Sequence, residues 1–136
     1  ACGGDVKGKT VAVLGLTFKP NTDDMRESPS LAIVPAIQKA GATIRAYDPE
    51  GMHEAKQMLS DVVWCENAYD TMIDADVMVI ITEWNEFRAL DLDRVKSLMK
   101  SPVMVDLRNV YDPADMIQNG FAYTSIGRPR HTARNN

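Results

Sequence analysis

The sequence has 136 residues, 45% hydrophobic and 25% charged, with a formal net charge of -4 and a pI near 5.1. Those values fit one globular domain with a single proper core, and they argue against a nucleic-acid binder, which normally shows a basic face. No apolar run approaches the roughly 20 residues of a bilayer span, the start from Ala1 to Asp5 lacks the pattern of a signal peptide, and two cysteines, Cys2 and Cys65, are too few for a disulfide framework.

A reducing, cytoplasmic setting is therefore expected. The chain opens with a short, β-branched apolar run, Val11 to Leu16, which suits a strand buried on both faces of a parallel sheet. A polar loop from Thr17 to Glu27 follows, longer than such connections need, and its ordering cost points to function. Ser28-Pro29 is a helix-start signal, because the Ser hydroxyl can accept a free backbone N–H and Pro loses nothing at the first helical position. The helix runs from about Pro29 to Ala40 on a Leu31, Val34, Ile37 stripe, with Pro35 expected to kink it and Gly41 to end it.

The second strand is Thr43–Tyr47, ending at Asp48-Pro49, and a helix from Met52 to Leu59 leads to a third, Val62–Cys65. A short helix follows from Ala68 to Ile73, capped by Asn67. Val77–Ile81 is the most apolar strand and is expected at the centre. Leu92, Val95, Leu98 and Met99 mark a helix face capped by Asp91. Strand Val103–Asp106, a short helix opened by Asp112-Pro113 and ended at Gly120, and strand Phe121–Ile126 complete the alternation before a basic tail from Arg128. The fold class this predicts is α/β: a doubly wound, mainly parallel, six-stranded sheet with helices on both faces, Rossmann-like.

Ligands of such sheets bind at the carboxyl ends of the strands, here between the first and fourth. The loops at that rim carry three cations, Lys19, Arg26 and Arg108, and two aromatic residues, Phe18 and Trp84, which together read as an anion site with stacking surfaces in an otherwise acidic protein. Arg grips phosphate oxygens with a planar fork and Lys supplies a point charge. Each such contact is worth roughly 1.5–3 kcal/mol, enough for two or three to hold a diphosphate. Blander roles compete with this one. Arg108 would pair with Asp106 or Asp112, Lys19 would be solvated, and Arg26 would neutralise Asp23, Asp24 and Glu27.

A plain dinucleotide fold places G-x-G-x-x-G after its first strand. Here only Gly15 is present, and Asp48, where such folds keep a ribose-binding acid, reads better as the cap of the turn before Pro49. A phospho-acceptor receiver domain has the same architecture, but the third strand ends in Glu66 and the fifth loop carries Arg108 where that class needs Asp and Lys.

The stretch V-A-V-L-G-L-T-F-K-P-N-T-D-D-M-R-E-S-P-S, Val11 to Ser30, closely resembles the start of the C-terminal, UDP-binding domain of UDP-glucose 6-dehydrogenases, in the UDP-glucose/GDP-mannose dehydrogenase family. D-L-R-N-V-Y-D-P, Asp106 to Pro113, and T-E-W-N-E-F, Thr82 to Phe87, extend the likeness over about Gly4 to Pro129. The resemblance implies that Phe18 and Lys19 contact a UDP-sugar, that Arg108 holds its phosphate or sugar end, and that Arg26 reaches toward NAD bound mainly by another domain. It also implies that UDP-glucose or UDP is the small-molecule partner and that the full-length enzyme is a homo-oligomer; charge and the lack of a long apolar run already speak against a nucleic-acid or membrane partner.

The family's glycine-rich NAD loop, dimer helix and catalytic Cys motif have no counterpart in this sequence. Cys65 reads as core, Cys2 as terminus, and His53 and His131 have no metal-ligand spacing. No catalytic or metal residue is therefore assigned. Residues 1–9 read as a linker remnant, 10–129 as the binding domain and 130–136 as a flexible tail. The chain is expected to be inactive by itself. A UDP-N-acetylmannosamine or GDP-mannose dehydrogenase, or a non-enzymatic nucleotide-binding regulatory domain, are the other readings.

Overall fold

The computed structural model describes residues 7–17, 28, 30–82, 84–108 and 110–125. Its six strands are β1 (Thr10–Leu14), β2 (Thr43–Tyr47), β3 (Val62–Trp64), β4 (Val77–Ile80), β5 (Val103–Asp106) and β6 (Ala122–Ser125). Between them run α1 (Ser30–Lys39), α2 (Met52–Met58), α3 (Ala68–Met72), α4 (Asn85–Arg88), α5 (Leu92–Leu98) and α6 (Pro113–Gln118). Every strand pair is parallel, in the order β3-β2-β1-β4-β5-β6. The chain therefore builds outward from β1 on one side, then returns to place β4 on the other. The point where strand order reverses falls between β1 and β4, as expected.

Both central strands are buried on both faces, which is why they read as unbroken apolar runs. Alternation along the strands sends two sets of side chains to opposite faces. Ala12, Leu14, Met78, Ile80, Met104 and Tyr123 pack against Met72 of α3, Phe87 of α4, Val95 of α5 and Met116 of α6. Val11, Val13, Ile44, Ala46, Val77 and Val79 pack against Val34 of α1 and Ala55 of α2. Two apolar layers thus cover a sheet that neither could stabilise alone.

The predicted caps are in place. Asn67 accepts the Asp70 N–H at 2.9 Å, Asp91 those of Asp93 and Arg94 at 3.1 and 3.3 Å, and Asp112 that of Ala114 at 2.9 Å. Each satisfies an N–H that the first helical turn leaves open and contributes about 1 kcal/mol. Pro35 lies on the exposed side of α1, which continues through it, and Gly41 leaves the helix with φ +99°. Helix α4 was not expected from the sequence; it is a single turn whose N-cap, Trp84, makes no side-chain cap bond. Cys65 is buried, as read from the sequence, and His53 is exposed. Among the described residues no helix is long and apolar enough to cross a membrane.

Candidate functional site

The carboxyl rim above the β1–β4 crevice is organised by the two residues that follow β1 and Gly15. Gly15 has φ +87°, and a Cβ there would lie 2.6 Å from Thr82 Cβ and 2.7 Å from Thr82 N. Only glycine permits both the conformation and the approach of the β4 loop. The lone glycine of this turn therefore serves close strand-to-strand contact, whatever ligand lies above it.

Leu16 and Thr17 form a neck where the long loop leaves and rejoins the sheet. The Leu16 carbonyl accepts the hydroxyls of Ser28 at 2.5 Å and Ser30 at 2.6 Å, so the far end of the loop is tied to its near end. Ser28 Oγ also accepts the Ser30 N–H at 3.2 Å, the capping role expected of it. Across the crevice, Thr82 Oγ1 donates to the Thr17 carbonyl at 2.7 Å. All four polar side chains involved, those of Thr17, Ser28, Ser30 and Thr82, are buried. The residues that flank segment 18–27, which carries Phe18, Lys19 and Arg26, are thus held together at Leu16. Those three predicted site residues lie outside the described residues.

Asp48, at the end of β2, locks this neck from the other side. It is 1% exposed. Its Oδ2 accepts the N–H groups of Leu16 at 2.7 Å and Thr17 at 3.2 Å, and the Trp84 indole N–H at 3.3 Å. Its Oδ1 accepts the N–H groups of Glu50 at 2.9 Å and Gly51 at 2.7 Å. The capped turn read from the sequence is there, and with it a tie between three loops that the sequence did not reveal. Trp84, expected to offer a stacking surface, is instead buried, its indole turned inward to Asp48.

Arg108 sits in the β5–α6 loop and is half-buried. The turn that carries it is built on Asp106, which is fully buried. Asp106 Oδ1 accepts the Arg108 backbone N–H at 3.1 Å, while Oδ2 accepts the Tyr111 N–H at 3.0 Å and the Tyr123 hydroxyl at 2.6 Å. Asp112, the other acid named as an ion-pair partner for Arg108, caps α6. Tyr111 in turn donates its hydroxyl to the Phe87 carbonyl, tying the β5 loop to α4. Burial, and then the negative charge of Asp106, push the Tyr111 phenol up to about 12. Among the described residues no group of three or more His, Cys, Asp or Glu is placed to hold a metal ion.

An all-parallel, doubly wound sheet with a braced rim over its reversal point defines a Rossmann-like ligand-binding domain. Residues 12–113 match the UDP-glucose/GDP-mannose dehydrogenase family, UDP binding domain. The chain belongs to that family. It is 57% identical to the UDP-glucose 6-dehydrogenase of Rhizobium meliloti, covering 95% of this chain and 30% of the relative. It is 45% identical to UDP-glucose 6-dehydrogenase TuaD of Bacillus subtilis, covering 93% of this chain and 28% of that one. Among solved structures, the NDP-N-acetyl-D-galactosaminuronic acid dehydrogenase of Methanosarcina mazei superposes with a TM-score of 0.83 at 30% identity, over 98% of this chain and 28% of that one. The chain thus spans less than a third of the length of these dehydrogenases.

Proposed function

We propose that this chain binds UDP-glucose, or UDP, at the rim over the β1–β4 crevice. In this reading the full-length protein is an NAD-dependent UDP-glucose 6-dehydrogenase, oxidising the substrate to UDP-glucuronate in two hydride transfers. The observation that carries it is the match of residues 12–113 to a UDP-binding domain, on a sheet whose strand order reverses between β1 and β4. The 57% identity to a UDP-glucose 6-dehydrogenase favours that sugar over N-acetylmannosamine or a GDP-sugar.

Lys19 and Arg108 are the diphosphate ligands in this proposal, and Phe18 packs beside the sugar nucleotide. The NAD half of the reaction does not suit this chain's own rim. No G-x-G-x-x-G follows β1, and both Asp48 oxygens are turned inward, away from any ribose. We therefore assign NAD binding to the rest of the full-length protein, with Arg26 directed toward it. Cytoplasmic residence and assembly as a homo-oligomer belong to the same proposal.

Calorimetric titration with UDP tests it. Binding is expected, and Lys19→Ala or Arg108→Ala should each weaken it by roughly tenfold or more, matching the loss of one charge-assisted contact. Absence of UDP binding, or binding that ignores both substitutions, overturns the assignment. The chain alone, given UDP-glucose and NAD, should produce no NADH.

A further inference from the structure

We propose that Asp48 is a positioning residue for the ligand rim: without touching ligand, it fixes Leu16 and Thr17, at the end of β1, and the β4 loop at the crevice. This rests on the UDP reading above and names what holds that site in shape. A buried carboxylate has a few acceptor directions, and here they are spent on three loops at once. Leu16 and Thr17 N–H, from the β1 loop, and the Trp84 indole N–H, from the β4 loop, meet on Oδ2. Glu50 and Gly51 N–H, from the β2 turn, meet on Oδ1.

The Thr17 peptide is consequently held on both sides, its N–H by Asp48 and its carbonyl by Thr82. Phe18 and Lys19 follow immediately. Gly51 completes the arrangement. It is buried, and a Cβ on it would collide with Thr17 Cγ2 and lie 3.2 Å from Asp48 Oδ1. Its φ of −98° suits alanine, so a methyl there would push Thr17 without straining the turn. Binding groups held loosely by about 1 Å lose much of their affinity, so this neck is where the rim gains its precision.

Two routes test the inference in the full 136-residue chain. Asp48→Asn keeps the size but points an NH2 donor at N–H groups, and it should raise the UDP Kd by roughly tenfold or more. Gly51→Ala, remote from the ligand, should raise the Kd about fivefold and speed amide exchange at Leu16 and Thr17 while the fold persists. Adding Thr17→Ser to Gly51→Ala removes the colliding Cγ2 and should restore both affinity and exchange. If Asp48→Asn fails to fold, the Gly51→Ala pair decides alone.

Wild-type UDP affinity in Gly51→Ala, or a loss that Thr17→Ser does not rescue, overturns the positioning role. If the wild-type chain binds no UDP, the binding reading fails separately. The exchange rates then still report whether Asp48 and Gly51 hold the neck, and unchanged rates in Gly51→Ala sink the inference on their own.

Discussion

Two buried aspartates flank the crevice, Asp48 after β2 and Asp106 at the end of β5, and they are built differently. Asp106 works largely within its own loop, on the N–H groups two and five residues ahead, with the Tyr123 hydroxyl of β6 as a distant donor among the described residues. Asp48 takes two donors from its own turn and the others from residues 31 to 36 positions away in sequence. The first shapes one turn and presents one cation, Arg108. The second ties together segments that sequence keeps apart. Identical chemistry thus makes a local bend on one side and a cross-brace on the other.

The comparison can be broken most severely at the braced side. Gly15→Ala forces a side chain into φ +87° and against the Thr82 backbone. Urea unfolding should register a loss of about 4 kcal/mol or an unfolded chain, the scale of strain combined with overpacking.

Removing each carboxylate then measures the two directly. Asp48→Ala leaves N–H groups of three loops without acceptors and should cost about 3 kcal/mol, since each buried, unsatisfied donor carries a penalty. Asp106→Ala strands fewer groups among the described residues and should cost about 2 kcal/mol. Equal losses would erase the distinction between brace and bend.

The smallest effect belongs to the Asp106 side and depends on pH. The Tyr111 phenol is pushed up to about 12 from 10.0 by burial and then by Asp106, and the Tyr47 phenol likewise by burial and then by Glu86. Both folded-state values are raised, so the folded chain retains protons that the unfolded chain releases. Their contribution is whole below pH 10 and declines as pH rises toward 12. Tyr111→Phe should flatten part of that alkaline decline in denaturation midpoints, and an unchanged slope would deny Tyr111 its part in it.

What sequence disclosed follows the same division between local and distant. β2 and β5 were placed residue for residue, because apolar runs bounded by turn residues announce themselves. The caps at Ser28, Asn67, Asp91 and Asp112 were legible because a cap bonds two or three residues ahead. The Asp48 turn was legible for that reason, yet its bonds to Leu16, Thr17 and Trp84 depend on which strands become neighbours. Trp84 was misread as a ligand platform because a rim position does not say which way a ring turns. Helix α4 escaped because one turn has no periodicity to read. Of the proposed UDP contacts, Arg108 was located on its loop, and the Asp106–Tyr123 bond that steadies the loop was not foreseen.

The closed neck also makes the rim interchangeable. Because one carbonyl, that of Leu16, receives the hydroxyls of Ser28 and Ser30, the two ends of the loop are held together by bonds that use no residue between Thr17 and Ser28. Relatives with other sugar preferences could donate their own residues 18–27 to this scaffold as a cassette. Lengthening such a loop adds only a slowly growing entropic cost. In a domain built this way, ten consecutive residues can be rewritten without touching the bonds that close the neck.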